Sequence, residues 1–150
     1  MKQLIAWSCL CVFLALFSTI AHAQSRQRTN DGDSGFSVLV FSKTSGYRHD
    51  SIPDGIAAIE QLGADNSFSV VATEDDAQFT DDNLANYAAV VFLNTTGTVL
   101  DDAEKAAFMR YIESGGGFVG IHSATDTEYE WPWYGQLVGA YFQSHPDIQR

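Results

Sequence analysis

Four short apolar runs limit what this chain can fold into: Phe36–Phe41 (FSVLVF), Phe68–Ala72 (FSVVA), Ala88–Leu93 (AAVVFL) and Gly117–Ile121 (GFVGI). They are rich in Val and Phe, which suit a pleated surface. Three of the four lack the apolar/polar alternation of a strand with one wet face, so they read as strands covered on both sides, as in a parallel sheet. The segments between them supply the covering. Ile52, Ile56, Ile59 and Leu62 recur at helical spacing, with Ser51 as N-cap, Asp54 three residues on, Pro53 in the first turn and Gly63 as the stop. A second helix is expected over Asp101–Ser114. There Asp101 and Glu104 have the form of a capping box, Ala103, Ala107, Phe108, Tyr111 and Ile112 make the buried stripe, and Gly115 ends it. Thr80–Asn86 suits either a short helix with Leu84 facing inward or an Asp-rich turn. The order β-α-β-(α)-β-α-β, with right-handed crossovers, predicts an α/β fold: a flavodoxin-like open parallel sheet of order 2-1-3-4 with helices on both faces.

The ends of the chain carry different information. Met1–Ala23 has a basic Lys2, an almost continuously apolar Leu4–Ile20 and an Ala21-His22-Ala23 ending, the form of a cleaved secretory signal peptide. An uncleaved anchor is the competing reading, since the apolar run approaches the roughly 20 residues that span a bilayer. A lipid anchor on Cys9 or Cys11 has less in its favour, because neither follows a lipidation box. Both cysteines lie in this segment, so a chain starting at Gln24 has no thiol for disulfides, zinc thiolates or nucleophilic catalysis. Residues 24–35 hold no large apolar side chain and are expected to form a disordered leader. The folded domain is expected over 36–150, in a secreted or periplasmic protein with no membrane association after cleavage. Trp131–Phe142 offers a helix and a short strand to cover the last apolar run. No closing element follows before Arg150, so the domain is expected to be incomplete at its C-terminus.

Removal of Lys2 leaves seven Lys and Arg against 19 Asp and Glu, a net charge of −12. Such a chain repels nucleic acid and anionic lipid, and a sugar suits it better as a ligand than a polyanion does. Acidity also serves solubility. The acidic run within Thr73–Asp82 has no Gly-rich cation loop and reads as a solvated face rather than a calcium site.

In a parallel sheet of this order the loops at the carboxyl edge are Ser42–Asp50, Asn94–Thr98 and His122–Thr127, and ligands bind at that edge. Tyr47, Arg48 and His49 precede a helix, where free backbone N–H groups favour oxygen-rich ligands. Asn94, Thr95 and Thr96 add neutral donors and acceptors. Gly117–Ala124 has the outline of a nucleophile elbow with His122 at its apex. An imidazole there suits a general base or a metal ligand, and a tight strand exit with a hydrogen-bonded His suits the same residues. His122 as base with Asp126 orienting it needs no metal. Alternatively His49, His122 and His145, with Asp126 or Glu128, could hold a divalent ion such as zinc or manganese, although no local spacing enforces it. Trp131 and Trp133 could stack on a sugar ring or belong to the core. Asp126, Glu128 and Glu130 sit in one loop, and nothing sets them across a scissile bond as a glycosidase requires.

The residues Val38–Ile52 (VLVFSKTSGYRHDSI), Ala89–Gly97 (AVVFLNTTG) and Gly115–Tyr141 (GGGFVGIHSATDTEYEWPWYGQLVGAY), followed by Phe142–Pro146, resemble the ThuA-like (trehalose utilisation) family. The resemblance spans nearly all of 36–150. It implies a flavodoxin-like domain related to class I glutamine amidotransferases, and a further C-terminal portion. The family pattern carries over at Arg48, His49, His122, Asp126, Trp131, Trp133 and His145, with Ala88 a minor departure where an acidic residue is usual. Amidotransferases bear a cysteine at the elbow; His122 stands there, so glutaminase activity is not implied. The resemblance does imply carbohydrate metabolism, acting on trehalose or a related disaccharide or keto-sugar. Partners implied are a sugar substrate and fusion or association with sugar dehydrogenase or carbohydrate-binding modules; a homo-oligomer is a separate expectation. A non-catalytic sugar-binding or interaction module is the alternative.

Overall fold

The computed structural model describes residues 35–146, so the expected signal peptide and all but the last residue of the expected leader lie outside the described residues. Four strands, β1 (Ser37–Phe41), β2 (Ser69–Thr73), β3 (Ala89–Leu93) and β4 (Gly117–Ile121), pair in parallel in the order β2-β1-β3-β4. Val38 lies opposite Val70 and Ala89, and Phe92 lies opposite Gly120. The fold is the flavodoxin-like α/β sheet that the sequence predicts.

Strand periodicity divides the core in two. Leu39, Phe41, Val90 and Phe92 face α2 (Asp81–Leu84), α3 (Asp102–Glu113) and α4 (Pro132–Val138), packing on Leu84, Phe108, Tyr111 and Tyr134. Phe92 stacks on Phe108 with ring centroids 5.4 Å apart. Val38, Val40, Val91 and Leu93 face α1 (Ile52–Asn66) through Ile56 and Ile59. Each fully buried Leu or Phe contributes roughly 2–3 kcal/mol relative to exposure. The α1 face is the thinner one: Val119 of edge strand β4 points to that side and is 47% exposed.

Helix α3 forms as its ends dictate. Asp101 accepts from the Glu104 N–H at 2.9 Å, and Glu104 accepts from the Asp101 N–H at 2.7 Å. Ala103 is exposed, so the buried stripe begins one turn later. Helix α1 departs further from expectation. It runs three residues past Gly63 to Asn66 and ends at Ser67, whose φ of 58° is left-handed and whose N–H bonds back to the Gly63 carbonyl. Gly63 does not stop the helix. It allows close approach to β2, because a Cβ there would lie 2.6 Å from the Phe68 carbonyl oxygen. Leu62, off the face that holds Ile56, Ile59 and Gly63, is exposed. Ser51 makes no side-chain cap; its Oγ instead accepts from Asn94 Nδ2 at 3.0 Å. Among the described residues no helix is long and apolar enough to cross a membrane, and no strand follows α4.

Candidate functional site

The three carboxyl-edge loops are stitched into one surface, with the loop after β3 as its spine. On one side, Ser45 N–H donates to the Thr96 carbonyl (2.8 Å), Gly46 N–H to Thr96 Oγ1 (3.2 Å), and Thr96 Oγ1 to the Tyr47 carbonyl (2.9 Å). On the other, Gly97 N–H donates to the Asp126 carbonyl (2.8 Å), Glu128 N–H to the Gly97 carbonyl (3.0 Å), and the Thr95 and Thr127 hydroxyls meet at 2.8 Å. Gly97, at φ +74°, is crowded by Ser45 and Gly46, so a side chain there would be strained in backbone and in space. Asn94, Thr95 and Thr96, expected to hold substrate, are all at least 96% buried and spend their polar groups within the protein. They hold the loops that line the site.

That stitching brings the flanking loops together over a cavity of about 630 Å³, within the range of small-molecule sites. Tyr47 and His49 enter from the loop after β1. His122, Ser123, Thr125 and Asp126 enter from the turn after β4, and Phe142 and His145 from the segment after α4. The His49 and His122 rings meet edge to face with centroids 4.6 Å apart, and Tyr47 stands edge-on to His49 at 4.9 Å. His122 has φ +52° and begins a 3₁₀ turn, His122–Asp126. Asn94 and Glu128, also on this rim, share the left-handed conformation. Each such residue costs on the order of 1 kcal/mol, and strain of this kind concentrates at functional sites. A smaller cavity of about 290 Å³ at the opposite edge, between Gly63 and Phe68, is lined by no ionisable side chain among the described residues.

Of the other expected site residues, some leave the cavity and some line it with contacts other than those expected. Arg48 does not line the cavity; its guanidinium, half exposed, pairs with Glu74 at 2.6 Å. The other cations nearby follow the same rule: Lys43 pairs with Asp76, holding that carboxyl below its ordinary range, and Arg110 grips Asp81 with two hydrogen bonds. The acidic segment is thus partly neutralised by the few basic residues the chain has. Trp131 and Trp133 stack on one another at 4.9 Å and pack towards Phe108 on the α3 side, with Lys105 Nζ 5.7 Å from the Trp131 ring centre. Both are partly buried and pack against the core in this arrangement. Asp126 lines the cavity but accepts from Tyr129 Oη at 2.7 Å, not from His122. His145 lines the cavity too, its ring 5.8 Å from Phe142. Among the described residues no three His, Cys, Asp or Glu side chains are grouped closely enough to hold a metal ion.

Three residues make contacts that the sequence does not reveal, although Glu128 is among the candidate metal ligands and Ser123 lies in a loop expected at the site. Glu128 is 1% exposed, and its Oε1 accepts from the Val99 and Leu100 N–H groups at 2.7 and 2.9 Å. Its Oε2 lies 2.7 Å from Lys105 Nζ, an ion pair without hydrogen-bond alignment. Tyr129 Oη also lies 2.7 Å from the Phe142 carbonyl, tying the segment after α4 to the β4 turn. Burial, reinforced by Asp126, pushes the Tyr129 phenol up to about 12. Ser123 is 93% buried on the cavity wall with no partner for its hydroxyl among the described residues. A hydroxyl left in that state costs about 1–3 kcal/mol. Only the Ser123 hydroxyl had a local signal, its place beside the elbow apex; the Glu128 and Tyr129 contacts depend on partners far along the chain or on side-chain direction.

A parallel sheet of order 2-1-3-4 with a cavity at its carboxyl rim defines a flavodoxin-like α/β domain. The trehalose-utilisation (ThuA) family matches residues 37–150, and the chain belongs to that family. Two solved structures share the fold. A ThuA-like protein from Bacteroides uniformis ATCC 8492 is 24% identical with a TM-score of 0.58, over 69% of this chain and 43% of its own. A ThuA-like protein from Parabacteroides merdae ATCC 43184 is 21% identical with a TM-score of 0.55, over 68% of this chain and 37% of its own. The chain thus spans less than half the length of these relatives. No match was found among curated protein sequences.

Proposed function

We propose that this domain processes a neutral sugar, trehalose or a related disaccharide or its keto derivative, at the His49–His122 cavity. The observation that carries the reading is the meeting of two imidazoles from separate loops, 4.6 Å apart, on a wall shared with Tyr47 and Phe142. Imidazole accepts and releases protons near neutral pH, so one ring removes a proton from a sugar hydroxyl or acidic C–H while the other donates. The Tyr47 ring, 69% exposed, and Phe142 present faces on which the apolar side of a sugar ring stacks. They take the part expected of the two tryptophans. With Arg48 committed to Glu74, no Lys or Arg among the described residues lines the cavity, which favours an uncharged ligand. A zinc or manganese ion enters this scheme only if His145 closes on the histidine pair, and no step here depends on one. We place the protein outside the cytoplasm on the strength of Met1–Ala23, with association with a sugar dehydrogenase or a carbohydrate-binding module, or with a second copy, as extensions of the same reading.

The test is turnover of trehalose, other disaccharides and their keto derivatives, followed by mass spectrometry. His122→Ala is expected to lower the rate at least about 100-fold, as loss of a general base does. Unchanged turnover of every accepted sugar would remove the mechanism. The alternative, a sugar-binding module without catalysis, draws on the engagement of Asp126 by Tyr129 rather than by His122 among the described residues. Saturable binding by calorimetry with no product formed would select it.

A further inference from the structure

We propose that Ser123 is a ligand-binding residue of the cavity, its hydroxyl turning to hydrogen-bond an uncharged, oxygen-rich occupant; this rests on the cavity being the site described above. Buried hydroxyls almost always have a partner, and one that lacks it calls for a reason. Ser123 is pinned by its backbone, because its carbonyl accepts from Thr127 Oγ1 at 3.2 Å, but nothing among the described residues fixes its side chain. The hydroxyl is covered in its present orientation, and rotation to another staggered well redirects Oγ without moving the main chain. Thr125 Oγ1 faces the His122 carbonyl at 3.4 Å, Asp126 holds Tyr129, and the Tyr47 phenol belongs to a side chain open to solvent, 69% exposed. Ser123 therefore carries the buried uncommitted hydroxyl among the described residues of the wall, and as both donor and acceptor it suits a sugar hydroxyl or carbonyl. Ser42 supplies an internal control. Its Oγ is equally buried and unpartnered among the described residues, yet Ser42 does not line the cavity.

The experiment compares S123C with S42C in the full chain, alkylated by iodoacetamide under native conditions and quantified peptide by peptide with mass spectrometry. Thiol reactivity follows access, so S123C is expected to react at least about tenfold faster than S42C. Equal or slower reaction would overturn the proposal. Trehalose is then added: slower alkylation of S123C supports both the residue assignment and the sugar reading. Fast alkylation that trehalose does not slow leaves Ser123 facing the cavity and counts against the sugar. Ser123→Ala gives the second readout. Its thermal midpoint without sugar should match or exceed the parent's, because the substitution removes an unpartnered buried hydroxyl, while trehalose affinity falls about tenfold, the effect of one good hydrogen bond. A lowered midpoint would assign the hydroxyl to the fold and overturn the proposal.

Discussion

The loop after β3 and the turn after β4 are both short, polar and placed at the same sheet edge, yet they do opposite things. In the first, Asn94, Thr95 and Thr96 are sealed and their side chains are consumed by internal hydrogen bonds. In the second, His122 and Ser123 reach the cavity wall with no side-chain hydrogen bond among the described residues. Polarity at a sheet edge therefore identifies a region, while the state of each hydrogen bond separates scaffold from lining. Scaffold residues should answer to stability measurements, and lining residues to binding and turnover.

The largest break in that division is expected at Glu128, which joins the two loops to α3. Glu128→Ala strips two buried N–H groups of their acceptor and leaves Lys105 without its carboxylate. A loss of about 3–5 kcal/mol is predicted in urea unfolding. A cost below about 1 kcal/mol would mean that the loops are held otherwise.

Alkaline pH should act next. Burial raises the phenols of Tyr134 and Tyr141, which brace the β4 turn through the Ala124, Glu128 and Trp131 carbonyls, and it raises Tyr129 to about 12. A raised folded-state value means that the folded chain holds the proton more firmly than the unfolded one. The stabilisation is complete below the ordinary tyrosine value of about 10 and is lost as pH rises through the folded values. Unfolding midpoints measured from pH 9 to 12 should fall above about 10, and Tyr129→Phe should make the fall between about 10 and about 12 shallower.

Thr95→Val tests the spine with a smaller change. It removes the Thr95–Thr127 hydroxyl contact at nearly constant volume and is predicted to cost about 1 kcal/mol without altering ligand affinity. Arg48→Ala should do least. Its exposed pair with Glu74 contributes little, so neither the unfolding midpoint nor trehalose binding by calorimetry is expected to change. Weakened binding would return Arg48 to the site.

How far the sequence could be read follows the same division. The sheet was legible because Val38–Phe41 and Val90–Leu93 are apolar at every position, which only a doubly covered strand tolerates. The convergence of His49 and His122 followed from strand order, since their loops leave β1 and β4, the two strands that flank β3, at one edge. Side-chain direction was not legible. Trp131 and Trp133 lie only a few residues beyond the cavity-lining Asp126, yet α4 turns them towards Phe108. Arg48 meets a carboxylate 26 residues away, and Gly63 serves packing where its position suggested a helix end.

The most direct test of the sorting is a nitrogen-15 NMR titration with trehalose that follows side-chain signals of both regions in one sample. Shifts in the His49 and His122 imidazoles, with the Trp131 and Trp133 indole N–H signals unmoved, are the predicted result. Indole signals that move while both imidazoles stay still would put the ligand on the α3 side and contradict the account.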